Sequence, residues 1–182
     1  MTPSHGILLI AVPALLDPNF KRSVVFIAQH SSEGTLGYVL NRPLKATLQE
    51  VMPDLQGFDA PLYWGGPCQN DTLHCIHRAG NLIPEATEIM DGIYWGGSFD
   101  AIRESILNND VSVHDFRFFV GYSGWSSNQL QRELNEHSWV LTPATPEAVF
   151  ADSVKNFWTR TLKSMGGEYA AMANVPEHPS VN

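Results

Sequence analysis

Residues 117–134 read RFFVGYSGWSSNQLQREL, with Gly121-Tyr122-Ser123-Gly124 set between an apolar run (Phe116 to Val120) and a helical stretch. Serine hydrolases present their nucleophile in such a strand–turn–helix setting, where G-x-S-x-G keeps bulk away from the strained turn. Gly121 meets the first glycine position, but Trp125 stands at the second. The acid and histidine that follow in chain order are Asp152 and His178, the latter in a proline-flanked tail. The same residues fit a corner: Ser126 as N-cap, Gln129 at N3 closing a capping box, and Trp125 with Leu130 as the hydrophobic staple. Ser123 is therefore expected to shape a corner, and no catalytic residue is assigned.

The segment GGPCQNDTLHCIHR carries metal-ligand residue types. On a strand, Cys75 and His77 share one face and His74 takes the other. With Cys68 they would make a Cys/Cys/His set of the kind zinc accepts. A fourth ligand is not evident and no C-x-x-C occurs, so small buried cysteines beside ordinary polar histidines are the plainer reading. No metal or cofactor is assigned.

Anion chemistry has more to draw on. Gly96-Gly97-Ser98 lies between a strand and the start of a helix, where free N–H groups and the helix dipole favour negative charge. Gly65-Gly66-Pro67 could form a turn nest with the same preference. Neither is a P-loop or a G-x-G-x-x-G fingerprint, and both also fit glycines that let Trp-bearing strand ends turn sharply. Arg22 opens one expected strand, and Asn41-Arg42-Pro43 follows the next. In an antiparallel hairpin these residues share one end. Arg22, Asn41 and Arg42, with main-chain N–H groups from Gly65-Gly66 or Gly96-Gly97, thus form a candidate site for an anionic ligand. The competing reading pairs Arg22 with Asp17 to lock the turn.

The elements that must hold these residues follow from pattern. Continuous apolar runs at Gly6 to Val12 and Ser23 to Gln29 read as buried strands, the second forming a hairpin with Thr35 to Leu40. Thr47 to Val51 reads as a short helix. PLYWGG and TLHCIH read as strands, and ATEIMDGIYWGG as a longer strand or a pair. Apolar residues at 99, 102, 106 and 107 give helical spacing over Ser98 to Leu107. Strand 116–120, helix 127–136, strand 138–142 and a helix from about 152 to 164 complete the chain, with a tail from about 166 expected to be loosely ordered unless docked. The interleaving indicates an α/β (α+β-like) fold on a mixed sheet, and no linker divides residues 1–182. YWGGP (63–67) and YWGGS (94–98) echo one another at two strand ends.

Composition limits the function classes. The chain has 182 residues, 43% hydrophobic and 16% charged, with a net charge of −8; one globular domain is the natural reading. Eleven basic against nineteen acidic residues supply no basic face, so direct DNA binding is not expected. Two cysteines suit a reduced, cytoplasmic protein. The opening segment lacks the charged n-region of a signal peptide, and its apolar run is too short for a membrane span.

Taken together, GILLIAVPALLDPNFKRSVVFIAQHSSEGTLGYVLNRPL, LYWGGP, FRFFVGYSGWSSNQLQREL and PEHPSVN resemble the AlgH/YqgE family of bacterial proteins. The resemblance implies a branched, barrel-like sheet surrounded by helices. Its recurrent residues fall on Asp17, Phe20, Arg22, Ser23, Gly37, Asn41, Arg42, Pro43, Gly65, Gly66, Pro67, Gly121, Tyr122, Trp125, Gln129 and Leu130. No enzyme activity defines the family, whose transcriptional-regulator label comes from a member tied to alginate production. At Ser123 the family commonly has alanine; Ser126-Ser127 replaces a frequent Gly-Pro, and Cys68 and Cys75 lie outside the pattern. The expectation is a cytoplasmic protein that binds a small anionic ligand or a protein partner, any regulatory role being indirect. The alternative is a hydrolase or transferase acting on a phosphate-bearing metabolite. An arginine and a histidine converging on one enclosed pocket would favour the alternative, and an open apolar patch the partner.

Overall fold

The structure, a computed structural model, describes residues 1–178. Strand β1 (Ile7–Ala11) is buried throughout. Leu8 and Ile10 enter one apolar cluster, while Ile7, Leu9 and Ala11 enter another on the opposite face, as a continuous apolar run requires. β2 (Val24–Ser31) and β3 (Gly34–Val39) form the expected antiparallel hairpin. A short strand, β4 (Pro43–Thr47), has no signal in the sequence, because its residues are exposed or half-buried and lack alternation. α1 (Leu48–Val51) starts at Thr47 through a capping box with Glu50. β5 (Pro61–Trp64) and β6 (Cys68–His77) follow, then the pair β7 (Thr87–Met90) and β8 (Ile93–Trp95), and helix α2 (Phe99–Leu107), N-capped by Ser98.

Strand β9 (Phe116–Ser126) departs most from expectation. The Gly121-Tyr122-Ser123-Gly124 segment is not a corner but the middle of an eleven-residue strand. Its first half pairs with β5 in parallel (Leu62↔Phe118 to Trp64↔Val120) and its second half with β3 antiparallel (Gly37↔Ser123 to Gly34↔Ser126). β6 runs antiparallel along its other side. The change of partner falls at Gly121, whose φ of 71° only glycine adopts without strain. Long-range pairing on both sides thus overrides the local turn signal of two glycines and a serine.

Helix α3 (Gln129–Asn135) starts later than expected: its N-cap is Asn128 in the left-handed region, not Ser126. Gln129 still reaches back as a capping-box residue would, its Oε1 accepting from the Ser126 N–H at 3.0 Å. Trp125 and Leu130 share one buried cluster. Strand β10 (Trp139–Pro143) pairs with β1, and α4 (Pro146–Val149), α5 (Phe157–Met165) and α6 (Gly167–Met172) end the described chain.

The ten strands run in the order β10-β1-β2-β3-β9-β6-β8-β7, with β5 and β4 branching from β9. The sheet is mixed, branched and open. It curls far enough that β1 and β7–β8 share a core: Leu8, Ile10, Ile89 and Ile93 lie in one cluster, which α5 covers with Phe157, Trp158 and Leu162. The Trp158 Nε1–H fixes α5 by donating to the Ala11 carbonyl at 2.7 Å. A second cluster, under α1 and α2, packs on the other face of β5, β6 and β9.

The tail, expected to be loose unless docked, is docked over its described part. α6 packs on α5, Ala173 is buried, and the Val175 carbonyl and Glu177 carboxylate meet Arg22 and Lys21. Residues 179–182 lie outside the described chain. No described helix is long and apolar enough to cross a membrane.

Candidate functional site

The hairpin places Arg22 and Asn41 side by side. Asn41 Oδ1 accepts from the Val24 N–H at 2.9 Å, and its Nδ2 donates to the Arg22 carbonyl at 2.9 Å, so one amide closes the open end of the hairpin. Arg22 Nη2 donates to the Val175 carbonyl at 2.6 Å, and the guanidinium lies 4.5 Å over the Trp158 ring. Arg42 donates to the Pro18 and Lys21 carbonyls, both at 2.9 Å. Asp17 forms no ion pair with Arg22 among the described residues; it accepts from the Asn19 N–H at 2.8 Å. The two arginines thus fold the 17–22 turn and the C-terminal segment onto the sheet.

Gly65 belongs to the same neighbourhood, since Val39 donates to its carbonyl and Trp64 donates to that of Arg42. Its own N–H donates to Val120 at 2.9 Å. Gly66 packs on the Tyr122–Ser123 backbone. Gly96-Gly97 stands apart, on the far side of β6 and β9 from β5. The Gly96 N–H donates to Cys75 at 3.0 Å, so the first glycine of each Trp-Gly-Gly echo extends a strand ladder by one residue. The structure therefore gathers Arg22, Asn41, Arg42 and Gly65-Gly66 at one end, away from Gly96-Gly97.

The two inner histidines of β6 have defined tautomers. His77 Nδ1 accepts from the Ala79 N–H, so its Nε2 carries the proton donated to the Gly96 carbonyl at 2.8 Å. On the other face, the Thr72 hydroxyl donates to Gln69 and receives the His74 Nε2–H, leaving His74 Nδ1 to accept from the Tyr38 hydroxyl, which in turn accepts from Trp95 Nε1. Burial lowers the pKa of both imidazoles and raises that of the Tyr38 phenol. Cys75 is buried beneath α2, which pushes its thiol up to about 12; it is an inert core residue.

Ser123 is fully buried, and its hydroxyl donates to the Gly65 carbonyl at 3.0 Å. It is out of reach of substrate. Because the Val39 N–H also donates to that carbonyl, Ser123→Ala leaves no orphaned acceptor. The variant should fold and lose about 1 kcal/mol in chemical denaturation, the net worth of one hydrogen bond. Labelling of wild-type Ser123 by a fluorophosphonate would contradict this placement.

The most unusual side chain is one that sequence pattern does not single out. Arg117, inside the apolar run of β9, is only 4% exposed. Its Nη1 donates to the Val149 and Ala151 carbonyls at 3.0 and 3.1 Å, and its Nη2 to the Leu40 carbonyl at 2.6 Å. The guanidinium stacks 4.0 Å over the Tyr63 ring. Its Nε has no partner, and no carboxylate lies within ion-pair distance among the described residues. Burial draws its pKa down to about 10, against the opposing pull of Tyr63 and Asp152, so it stays charged at neutral pH. Arg117 lines a cavity of about 160 Å³ with Tyr63, Phe150, Asp59, Asp152 and His114. His114 Nδ1 lies 3.4 Å from Asp152 Oδ1 at the exposed rim. The available signal was a lone arginine in the string FRFFV.

A larger groove of about 820 Å³ runs beside β10 between Met1–Pro3, Leu134, Tyr169 and Met172. The Ala144 N–H donates to Gly6 and the Val12 N–H to Ser138. In the β1–β10 register, this parity gives Val140 and Thr142 to β1 and turns the main-chain groups of Trp139 and Leu141 outward.

The sequence model of a family described as AlgH-like matches residues 8–170. A UPF0301 protein of Chlorobium limicola is 42% identical over 177 residues, covering 97% of this chain and 95% of the relative. A UPF0301 protein of Cytophaga hutchinsonii is 35% identical over 180 residues, covering 98% and 99%. Among solved structures, the solution structure of the AlgH protein from Pseudomonas aeruginosa superposes with a TM-score of 0.75 at 25% identity, covering 98% of both chains. The crystal structure of protein DIP2367 from Corynebacterium diphtheriae gives a TM-score of 0.80 at 20% identity, covering 96% of this chain and 94% of the other; that likeness is one of fold.

Proposed function

Because the chain belongs to the AlgH-like family, which carries a fold but no reaction to this site, we propose from the geometry that it is a binding protein for a small anionic ligand, taken up at the Arg117 cavity. The observation that carries this reading is a buried guanidinium, without a carboxylate partner among the described residues, on the wall of a cavity. Burying an uncompensated charge costs several kcal/mol, and three main-chain carbonyls offset only part of it. An anion would complete the arrangement through the donors that remain. The hairpin-end candidates, Arg22, Asn41 and Arg42 with Gly65-Gly66, stand as a secondary anion-binding region, opened only where a ligand displaces the carbonyls they now hold. Gly96-Gly97 would serve separately, at the start of α2.

The test is thermal denaturation with acetate, phosphate and sulfate against wild type and Arg117→Lys, at matched ionic strength. Ligand at 100 times its dissociation constant should stabilise wild type by about 2.7 kcal/mol, and the lysine variant less. Equal responses of the two proteins would place binding elsewhere.

A second reading, a protein partner, draws on the groove beside β10, where outward main-chain groups of Trp139 and Leu141 border an apolar wall. A regulatory role would run through such a partner and not through duplex contact, given the net charge of −8. Two free cysteines suit a cytoplasmic setting. The hydrolase or transferase alternative has an arginine and a histidine on one cavity in its favour, but His114 lies at the exposed rim, paired with Asp152.

A further inference from the structure

The charges around the Arg117 cavity narrow the ligand class. Of the five guanidinium N–H groups, three are held by the Leu40, Val149 and Ala151 carbonyls. The two that remain are the enclosed Nε–H, which has no partner among the described residues, and one on Nη2, so the guanidinium keeps donor capacity for an anion. Arg117 is the buried positive end. Two carboxylates, Asp59 and Asp152, line the same cavity and are solvent-exposed. A dianion such as phosphate would meet Arg117 but face both aspartates. A ligand with a carboxylate at one end and an ammonium at the other meets each charge with its opposite.

Size points the same way. The cavity's volume, about 160 Å³, falls well below the roughly 300–1,000 Å³ of pockets for drug-sized ligands, which suits a small molecule. Glycine and alanine are of that scale. We infer that the cavity is a site for a small free amino acid, its carboxylate toward the Arg117 guanidinium and its ammonium toward Asp59 and Asp152. This rests on the anion-site reading and goes beyond it by requiring the two acids. Phe150 and Tyr63 supply aromatic surface to the same cavity.

The experiment is isothermal titration of wild type and of the Asp59→Asn/Asp152→Asn double variant with glycine, alanine, acetate, methylammonium and phosphate. Both aspartates are exposed, so the variant is expected to fold as wild type does. Glycine and alanine should bind wild type several-fold more tightly than acetate, and methylammonium should not bind measurably. In the double variant, glycine affinity should drop to the acetate level while acetate affinity holds or rises. Acetate or phosphate binding wild type as tightly as glycine would overturn the amino-acid assignment and leave the anion site standing. So would glycine binding that ignores the two substitutions. Absence of binding by all five would overturn both.

Discussion

Gly66→Ala is expected to destabilise the fold by about 3 kcal/mol or more, at the upper end of what overpacking costs. A Cβ on Gly66 would lie 2.2 Å from the carbonyl carbon and oxygen of Tyr122 and 2.4 Å from the Ser123 nitrogen. These are backbone atoms of β9, paired on both sides, so no side chain can swing away to make room. The contact is reciprocal: a Cβ on Gly121 would meet the Gly66 carbonyl oxygen at 2.7 Å. In a chain of this length each kcal/mol moves Tm by about 2–4 °C, so a fall of roughly 6–12 °C is the readout. Gly57→Ala is the control. Gly57 has a φ of 84°, and a methyl group there would meet nothing within 4 Å, so only the left-handed backbone penalty of roughly 1–2 kcal/mol applies. Equal losses from the two substitutions would show that the β5 exit does not press on β9.

Arg117→Met should cost about 3 kcal/mol. Methionine keeps much of the length and apolar stem but removes every donor, leaving the Leu40, Val149 and Ala151 carbonyls without the guanidinium. An acceptor left unsatisfied in the interior costs about 1–3 kcal/mol, and relief from burying a charge returns part of the sum. Arg22→Met removes a hydrogen bond at the exposed surface and should cost about 1 kcal/mol or less. Urea denaturation of both variants measures the contrast. A methionine variant at position 117 as stable as wild type would mean that the guanidinium does not tie α4 to the end of β3.

The elements carried by apolar pattern are legible in the sequence. β1 and the β2–β3 hairpin follow from runs of buried aliphatic residues, and α2 from its spacing. The hairpin also correctly brings Arg22 beside Asn41, because antiparallel pairing fixes which residues share an end. What those side chains bond is not readable, since Val175 lies 153 residues from Arg22 along the chain. Local pattern cuts strand β9 short because glycine and serine mark turns in local statistics, whereas here they admit a neighbouring backbone at close range. Arg117 escapes notice for a related reason: its acceptors at 40, 149 and 151 come from two distant elements, and no local spacing announces them.

The divided partnership of β9 also governs how the molecule opens. One half of the strand is wedged between β5 and β6, and the other lies on β3. The β10-β1-β2-β3 side and the β6-β8-β7 side therefore cannot separate without tearing this one strand from β3 or from β6. The amide protons of Phe118 to Val120, enclosed by β5 and β6, should therefore be among the last to exchange for deuterium, at a rate set by global stability. Denaturation should then proceed as one cooperative event despite the three apolar clusters, the two sides sharing a single hinge-free spine.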